Sequence, residues 1–316
     1  MDPFSFLKIS LNPDGSLTRH SGFPLSPPTG DHPPDSSVPV VSKDVTLNPS
    51  HNTWIRIFLP AGEKLPLIIY VHGGGFIFCS AASAPFHASC SRLAAALPAA
   101  VLSLDYRLAP EHRLPAAYDD AVESLLWASA QARDPSAADP WLRDRVDFSR
   151  CFIMGSSSGG NIAYRAAILA GGIDLKPMKL AGVILNQPYF GGEQRTESEV
   201  RMAEDRIVPL PANDLMWSLA LPIGANRDHE FCNPAAKDEE DDQELKKLPA
   251  VLVRGYVGDP LIDRQREVAR MLEKRGVKVV AMVEEEGHHA VELFDSGKAS
   301  KLVEQVRDFV GGQNRL

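Results

Sequence analysis

Short runs of consecutive hydrophobic residues recur along the chain between residues 54 and 283. Several of these runs are continuous instead of alternating with polar residues, which is typical of parallel strands that are buried on both faces of a sheet. The pattern predicts strands at residues 54–59, 66–71, 99–104, 150–155, 181–186, 249–255 and 278–283.

Segments with helical spacing of hydrophobic residues lie between the predicted strands. They predict helices at residues 116–132, 160–171, 262–276 and 299–312. Gly276 and Gly311 lie at the ends of the last two segments and predict helix C-caps. Strands that alternate with helices indicate an α/β fold, in which a mainly parallel central sheet is flanked by helices.

Two regions depart from this alternation. Residues 22–40 are dense in Pro, Ser and Gly, which predicts an extended or poorly ordered arm, and residues 3–11 before them predict a short strand or helix. Residues 188–233 contain helix-like segments and no strand. Because open α/β sheets bind ligands at the carboxyl ends of their strands, we expect an insertion there to form a helical cap. The predicted organisation is an arm (1–40) that contributes to the cap and an α/β domain (41–316) that carries the insertion.

Composition and charge narrow the possible functions. The 316 residues are 44% hydrophobic and 23% charged, as in soluble globular proteins of enzyme size. The net charge is −8 and no cluster of Lys and Arg is present, so we expect no nucleic-acid partner. The hydrophobic runs are too short to span a membrane. The N-terminus lacks the pattern of a secretory signal, so a cytoplasmic protein is expected. The four Cys lack CxxC spacing, which argues against zinc.

The segment GSSSGGN (155–161) follows a predicted strand and precedes a predicted helix. This is the context of a G-x-S-x-G nucleophile elbow, where the turn is so sharp that glycine is needed two residues before and after the serine. Only Ser157 has glycine at both positions, so it is the candidate nucleophile. The alternatives are a structural turn and a flexible linker, and the apolar flanks argue against the linker. A Walker loop would need the GK[ST] that is absent here.

A second glycine-rich segment, YVHGGGFIF (70–78), also follows a predicted strand. HGGG is the oxyanion-hole motif of lipases and esterases, in which backbone N–H groups stabilise a tetrahedral intermediate. The predicted donors are the N–H groups of Gly74, Gly75 and Ser158, and the alternative is a glycine turn needed for chain reversal. His72 is expected to orient the backbone and not to act as a base.

A serine nucleophile needs a general base. Three histidines follow the serine motif in the chain. His229 falls in the predicted cap, whereas His288 and His289 follow the last predicted strand, where loops of an α/β site converge. One of these two is the predicted base, and spacing alone does not choose between them.

The base in turn needs an acid that orients it. Asp259 directly follows the predicted strand 249–255, whereas Asp263 is explained as an acid in the first turn of a helix. We therefore predict Asp259 as this acid.

Five motifs, which appear in one order along the chain, resemble those of the hormone-sensitive-lipase-like plant carboxylesterases. The motifs are HGGGF (72–76), DYRLAPEHRLPAAYDD (105–120), GSSSGGNIA (155–163), GDPLIDRQ (258–265) and GHHAV (287–291). The resemblance spans nearly the whole chain, from SLNPDGSLTR (10–19) to the last helix. It implies an α/β-hydrolase fold with an N-terminal cap, and a role for DYRLAPEH in bracing the oxyanion loop.

The resemblance also implies the site residues. It maps a catalytic triad to Ser157, Asp259 and His289, because the histidine of the family directly precedes Ala-Val. It implies oxyanion donors at Gly74, Gly75 and Ser158.

One residue departs from the family pattern. Ser156 stands where the family usually carries an acid. We expect this departure to alter a rate or a pKa and not the class of reaction.

The predicted function is hydrolysis of short-chain or small-molecule carboxylic esters through an acyl-enzyme, without a metal or other cofactor, by a monomer or homodimer. Two alternatives share the resemblance. One is a lyase or cyclase like the 2-hydroxyisoflavanone dehydratases, which typically carry Thr at the nucleophile position. The other is a receptor like the gibberellin receptors, which lack the histidine. Phe78, Leu215 and Trp217 are candidates for lining the site, and each is equally explained as core.

Overall fold

The computed structural model of the protein describes residues 1–31, 40–236 and 243–312. The strands in these ranges are β1 (Ile9–Leu11), β2 (Leu17–Arg19), β3 (Val40–Asn48), β4 (Thr53–Pro60), β5 (Leu65–Val71), β6 (Ala100–Asp105), β7 (Val146–Ser156), β8 (Leu180–Asn186), β9 (Ala250–Tyr256) and β10 (Val279–Glu284). The helices are α1 (Pro3–Leu7), α2 (Ala84–Ala96), α3 (Ala116–Arg133), α4 (Pro140–Arg143), α5 (Ser158–Ala170), α6 (Glu197–Arg201), α7 (Leu210–Ala220), α8 (Ile262–Lys274) and α9 (Ser296–Gly312).

The main sheet has the strand order β10-β9-β8-β7-β5-β6-β4-β3. The strands from β5 to β10 pair in parallel, whereas β4 is antiparallel to both β3 and β6. The prediction of a mainly parallel sheet flanked by helices is therefore confirmed. In such a sheet the carboxyl ends of the parallel strands lie along one edge, so the loops after β5, β7, β9 and β10 converge there.

Burial on both faces explains the continuous hydrophobic runs. Every residue of β5 is buried, and alternate side chains enter two different cores. Leu67, Ile69 and Val71 pack in the core that also contains side chains of α3 and α5. Ile68 and Tyr70 pack on the other face with side chains of α2 and α9. Since neither face meets water, polar residues do not alternate with apolar ones along this strand.

The sequence pattern missed helix α2, which packs on one face of the sheet, and several elements at the margins of the sheet. Strand β3 is an edge strand whose burial alternates along its length, so it contains no continuous hydrophobic run. Residues 3–11 form both of the predicted alternatives, since α1 is followed by β1. Gly276 adopts a positive φ of 82° just after α8, as expected of a C-cap glycine. The C-cap prediction for Gly311 is wrong, because α9 continues through Gly312.

The N-terminal arm is attached to the loops beside the carboxyl edge of the sheet. Arg19 pairs with Glu111 at 2.8 Å and donates hydrogen bonds to the carbonyl oxygens of Ile77 and Ala109. Partial burial would raise the pKa of Glu111, but the hydrogen bonds from Arg19 and from the Leu17 N–H lower it to about 2. This part of the arm is therefore fixed by charged contacts that persist in mildly acidic solution.

Two helices, α6 and α7, occupy the segment 188–233, and no strand falls in these residues. Helix α1 of the arm packs against α7. A Cβ atom on Gly75 would lie 2.2 Å from the Met216 sulfur, so α7 directly covers the glycine-rich loop after β5. The division into an arm, a cap and an α/β domain stays a prediction, and the arm residues 32–39 lie outside the described ranges. No helix within those ranges is both long and apolar enough to cross a membrane.

Candidate active site

Ser157 lies in the sharp turn between β7 and α5. Its backbone adopts φ 55° and ψ −123°, a sparsely populated conformation for a residue with a side chain. A Cβ atom on Gly155 would lie 1.9 Å from the Gly159 carbonyl oxygen, and one on Gly159 would lie 2.0 Å from the Val71 carbonyl oxygen. Both glycines are therefore required by close approach of the backbone, as the motif predicts. The turn aims the Ser157 side chain into a cavity above the carboxyl edge of the sheet.

The structure brings together three side chains from three loops. The Ser157 hydroxyl lies 2.9 Å from Nε2 of His289, and Nδ1 of His289 lies 2.8 Å from Oδ2 of Asp259. Asp259 and His289 are buried, and Ser157 is partly exposed to the cavity. The other histidine of the pair, His288, is exposed, and its Nδ1 contacts the His289 carbonyl oxygen.

The rejected candidates are occupied elsewhere. Asp263 accepts a hydrogen bond from the Ser198 N–H and pairs with Arg266. His229 accepts a hydrogen bond from the Phe231 N–H in the segment between α7 and β9. Neither is within hydrogen-bonding distance of Ser157 among the contacts of the described residues.

The Asp259 carboxylate makes the imidazole of His289 a stronger base than a free imidazole. Burial alone would lower the pKa of His289, but the Asp259 carboxylate beside it raises the pKa above the ordinary 6.5. Asp259 is held in turn by the Leu261 N–H and by the side-chain amide of Gln265, each at 2.9 Å. Asp259 therefore fixes the orientation of the imidazole, with the proton on Nδ1 and the lone pair of Nε2 toward Ser157.

The glycine-rich loop after β5 lies against the elbow. Gly74 and Gly75 adopt positive φ values of 124° and 58°, which turn the loop over the sheet edge. A Cβ atom on Gly74 would lie 2.3 Å from the Phe78 carbonyl oxygen, so this position excludes any side chain. Across the contacts of the described residues, the N–H groups of Gly74, Gly75 and Ser158 donate to no protein acceptor. They are therefore free to bind an anionic oxygen.

His72 supports this loop from below. Its ring is fully buried, stacks on Tyr106 with a centroid distance of 4.3 Å, and places Nδ1 2.7 Å from the Gly73 carbonyl oxygen. Burial lowers the pKa of His72, so the ring is neutral and Nδ1 donates. Tyr106 also donates a hydrogen bond to the His72 carbonyl oxygen, and the Ala109 N–H donates to Phe76. Through these contacts the DYRLAPEH segment (105–112) supports the glycine-rich loop, as the resemblance implies.

The cavity above these groups has a volume of about 770 Å³. Phe78 lines the cavity, so its prediction as a lining residue is confirmed. Leu215 and Trp217 are absent from the lining formed by the described residues. Trp217 is fully buried instead and stacks on Tyr189 with a centroid distance of 4.8 Å, so for this residue the core explanation is the right one.

Gln187 is a site residue that the sequence reasoning missed. Its side-chain oxygen accepts a hydrogen bond from the Ala290 N–H at 2.5 Å, and its side-chain nitrogen donates to the His288 carbonyl oxygen at 3.2 Å. The buried amide thus holds the peptide groups on both sides of His289, next to Ala290, whose φ is 60°. Its signal in the sequence was the second of two polar residues, Asn186 and Gln187, that follow the hydrophobic run of β8.

Ser156 belongs to a hydrogen-bonded group beside the nucleophile. Its hydroxyl accepts hydrogen bonds from the Tyr70 hydroxyl at 3.2 Å and from the Asn186 amide at 3.3 Å. The side-chain oxygen of Asn186 accepts a hydrogen bond from Arg254, a fully buried guanidinium that is paired with Glu292. A serine is therefore accommodated here without a charge of its own, and its effect on the rate stays a prediction.

One group of potential metal ligands lies away from the cavity. His51, Asp120 and Glu123 place ligand atoms within 4.8 Å of one another. Both carboxylate oxygens of Asp120 already accept hydrogen bonds from Arg107, at 2.6 to 3.0 Å. The cluster is explained by this ion pair, and we assign no metal to it.

Comparisons with known proteins agree with the fold and find ester hydrolases among the similar proteins. A family described as an alpha/beta hydrolase fold matches residues 68–293. Probable carboxylesterase 8 of Arabidopsis thaliana is 51% identical over 98% of this chain and 93% of its own. The 3-O-acetylpapaveroxine carboxylesterase CXE2 of Papaver somniferum is 44% identical over 98% and 99%. Among solved structures, the hyperthermophilic esterase of the archaeon Pyrobaculum calidifontis superposes with a TM-score of 0.73 and 27% identity, over 86% of each chain.

Proposed function

Because this chain belongs to the α/β-hydrolase family and is a carboxylic ester hydrolase, we propose that Ser157, His289 and Asp259 are its catalytic triad. The observation that carries this proposal is the continuous hydrogen-bonded path from the Ser157 hydroxyl through His289 to the buried Asp259, at 2.9 and 2.8 Å. A nucleophile within hydrogen-bonding reach of a base that a third group orients is the arrangement that acyl transfer needs.

In the acylation step the Ser157 oxygen attacks the ester carbonyl carbon while Nε2 of His289 accepts the hydroxyl proton. The negative Asp259 stabilises the imidazolium that forms. The carbonyl oxygen becomes an oxyanion and receives hydrogen bonds from the N–H groups of Gly74, Gly75 and Ser158. Each such donor contributes roughly 3–4 kcal/mol to the stabilisation of the transition state. The dipole at the start of α5 acts in the same direction.

Collapse of this intermediate completes the exchange. His289 gives its proton to the leaving alkoxide, which departs as an alcohol, and the acyl group remains bound to the Ser157 oxygen. A water molecule then attacks the acyl-enzyme while His289 accepts one of its protons. The second tetrahedral intermediate releases the carboxylic acid and returns the proton to Ser157. No step requires a metal or an organic cofactor.

Three finer features are proposed as well: the acyl group, the location and the oligomeric state. The Papaver relative is named for an O-acetyl ester, which supports a short acyl group in the substrate of this chain. The cytoplasmic location, and a monomeric or homodimeric state, are proposed from the sequence alone.

Labelling with diethyl p-nitrophenyl phosphate tests the nucleophile directly. We expect one equivalent of p-nitrophenol per chain and a diethylphosphoryl adduct on Ser157, because the reagent presents an electrophilic phosphorus to an activated serine. Peptide mass spectrometry locates the adduct, and a His289→Ala variant should label far more slowly. An adduct on Ser156 or Ser158 would assign the role to another residue. Stoichiometric binding of small esters without turnover would instead favour the receptor alternative.

The pH dependence of kcat/KM should report His289. We expect the acid limb for p-nitrophenyl butyrate to have its midpoint above pH 6.5, because His289 must be neutral to accept the serine proton and its pKa is raised. The enzyme is then inactive below this midpoint and active above it. In Asp259→Asn the limb should move to lower pH, and kcat should fall about 10⁴-fold.

Asp263→Asn is the matched control, since it removes a carboxylate four residues further along the chain that does not contact His289. Its midpoint should equal that of the unmodified enzyme. A midpoint at or below 6.5 in the unmodified enzyme would show that another group limits the rate.

A further inference from the structure

The mouth of the cavity is bordered by large hydrophobic side chains that are open to solvent. Phe23 and Leu25 come from the arm, Ile207 lies between α6 and α7, and Phe294 follows His289 by five residues. Leu25 is 70% exposed and Phe294 is 60% exposed. Exposed apolar side chains scattered singly need no explanation, but a group of them around one opening marks an interaction site. We call these four residues the apolar rim.

The apolar rim is built from fixed parts of the chain. Leu25 forms an antiparallel bridge with Ser83, and the Ser26 N–H donates to the Ala82 carbonyl oxygen at 2.8 Å. The rings of Phe23 and Phe294 lie 6.4 Å apart with an angle of 40° between their planes. Segments that are distant in sequence therefore hold two aromatic rings as neighbours at the opening, and such rings pair favourably with other aromatic groups.

The rim continues an apolar surface that leads inward. Leu7, Val208 and Met216 line the same cavity, and Met216 lies against Gly75 of the glycine-rich loop. The whole cavity measures about 770 Å³, within the range of 300–1,000 Å³ typical of pockets for drug-sized ligands. An ester with only a short chain on each side of its carbonyl would leave most of this apolar surface in contact with water.

From these contacts we infer that the substrate carries one bulky, largely apolar group, aromatic or alicyclic, that fills the cavity and reaches the apolar rim. This inference rests on the proposed role of Ser157, because the bulky group is placed relative to an ester carbonyl that binds at this residue. A second protein is a poorer occupant, because the exposed part of the rim is far smaller than the roughly 1,000 Å² of a specific interface. The rim also surrounds a concave opening, which suits a small molecule.

The test uses the double variant Phe23→Ala/Phe294→Ala and three acyl donors. Fluorescein diacetate is bulky on the alcohol side, and p-nitrophenyl 4-phenylbutanoate carries a second ring on the acyl side. p-Nitrophenyl acetate, with one small ring and an acetyl group, is the smallest of the three. We expect kcat/KM to fall about 10- to 100-fold for at least one bulky ester, through KM, because remote apolar contacts bind substrate and transition state alike. The value for p-nitrophenyl acetate should stay within about twofold, since that ester does not reach the rim.

Ile223→Ala is the matched control, because Ile223 is a 90% exposed hydrophobic residue outside the cavity lining. It should change none of the three values. Thermal unfolding followed by circular dichroism shows whether the variants remain folded. If Phe23→Ala/Phe294→Ala does not fold, the double variant Leu25→Ala/Ile207→Ala replaces it in the same test.

Unchanged kinetics for both bulky esters would overturn the inference. A rim variant with unchanged kinetics that no longer binds phosphatidylcholine vesicles, or no longer forms a dimer in light scattering, would also overturn it. The apolar rim would then be an interface with a membrane or with a second copy of the chain. Absence of p-nitrophenyl acetate turnover in the unmodified enzyme would instead contradict the proposed function, so the two failures are distinguishable.

Discussion

Replacement of Ser157 by alanine is expected to lower kcat for p-nitrophenyl butyrate about 10⁴- to 10⁶-fold. The variant loses the only atom that forms the acyl-enzyme, while His289 and Asp259 keep their positions because they are hydrogen-bonded to each other at 2.8 Å. The remaining rate should still exceed that of the reaction in water, because the N–H donors and the cavity are intact. Steady-state kinetics at several enzyme concentrations measure this residual rate.

Ser149→Ala is a suitable control for that experiment. Ser149 is an exposed serine on the same strand, β7, and within the described ranges its hydroxyl hydrogen-bonds only to Asp147. Its replacement should leave kcat and KM unchanged. If Ser157→Ala retained more than a tenth of kcat, the acyl group would be carried by a different residue or the reaction would proceed by direct attack of water.

Replacement of Gly159 by alanine should strongly lower the stability of the protein. The new Cβ atom would lie 2.0 Å from the Val71 carbonyl oxygen and 2.6 Å from that of His72. Neither oxygen can move without displacing β5, a central strand whose residues are all buried. We expect the free energy of unfolding to fall by roughly 3 kcal/mol or more, the range of overpacking and backbone strain. Urea unfolding followed by circular dichroism measures the change.

The matched glycine is Gly311, in the last turns of α9, where a Cβ atom would meet nothing within 4 Å. Alanine at this helical position should stabilise the protein by roughly 0.5–1 kcal/mol. The two variants add the same methyl group, and we expect them to change the free energy of unfolding in opposite directions. A small effect of Gly159→Ala would mean that the elbow is more open than its contacts indicate.

Features that depend on local backbone packing could be predicted from the sequence. The continuous hydrophobic run of β5 follows from burial on both faces of the sheet, and the glycines at 155 and 159 follow from the approach of the elbow to β5. Each of these constraints acts on consecutive or nearly consecutive residues. It therefore leaves a pattern that one segment of sequence carries by itself.

Features that depend on contacts between distant segments could not be predicted in this way. Spacing alone did not choose between His288 and His289, because the choice depends on the left-handed backbone of Ala290 and on the amide of Gln187, about a hundred residues earlier in the chain. The edge strand β3 was missed because only one of its faces is buried in a regular alternation. The cover that Met216 provides over Gly75 leaves no pattern in either segment.

The hydrogen bond between Ser157 and His289 joins residues that are 132 positions apart. The base stands on the loop after β10, at one end of the sheet order, and the nucleophile follows β7 near its middle. A chain that has folded only through the elbow therefore holds an inert serine, because contacts of such high sequence separation form only when the intervening strands have paired. Hydrolytic activity is thus silent during synthesis, and its recovery during refolding reports the completion of the sheet.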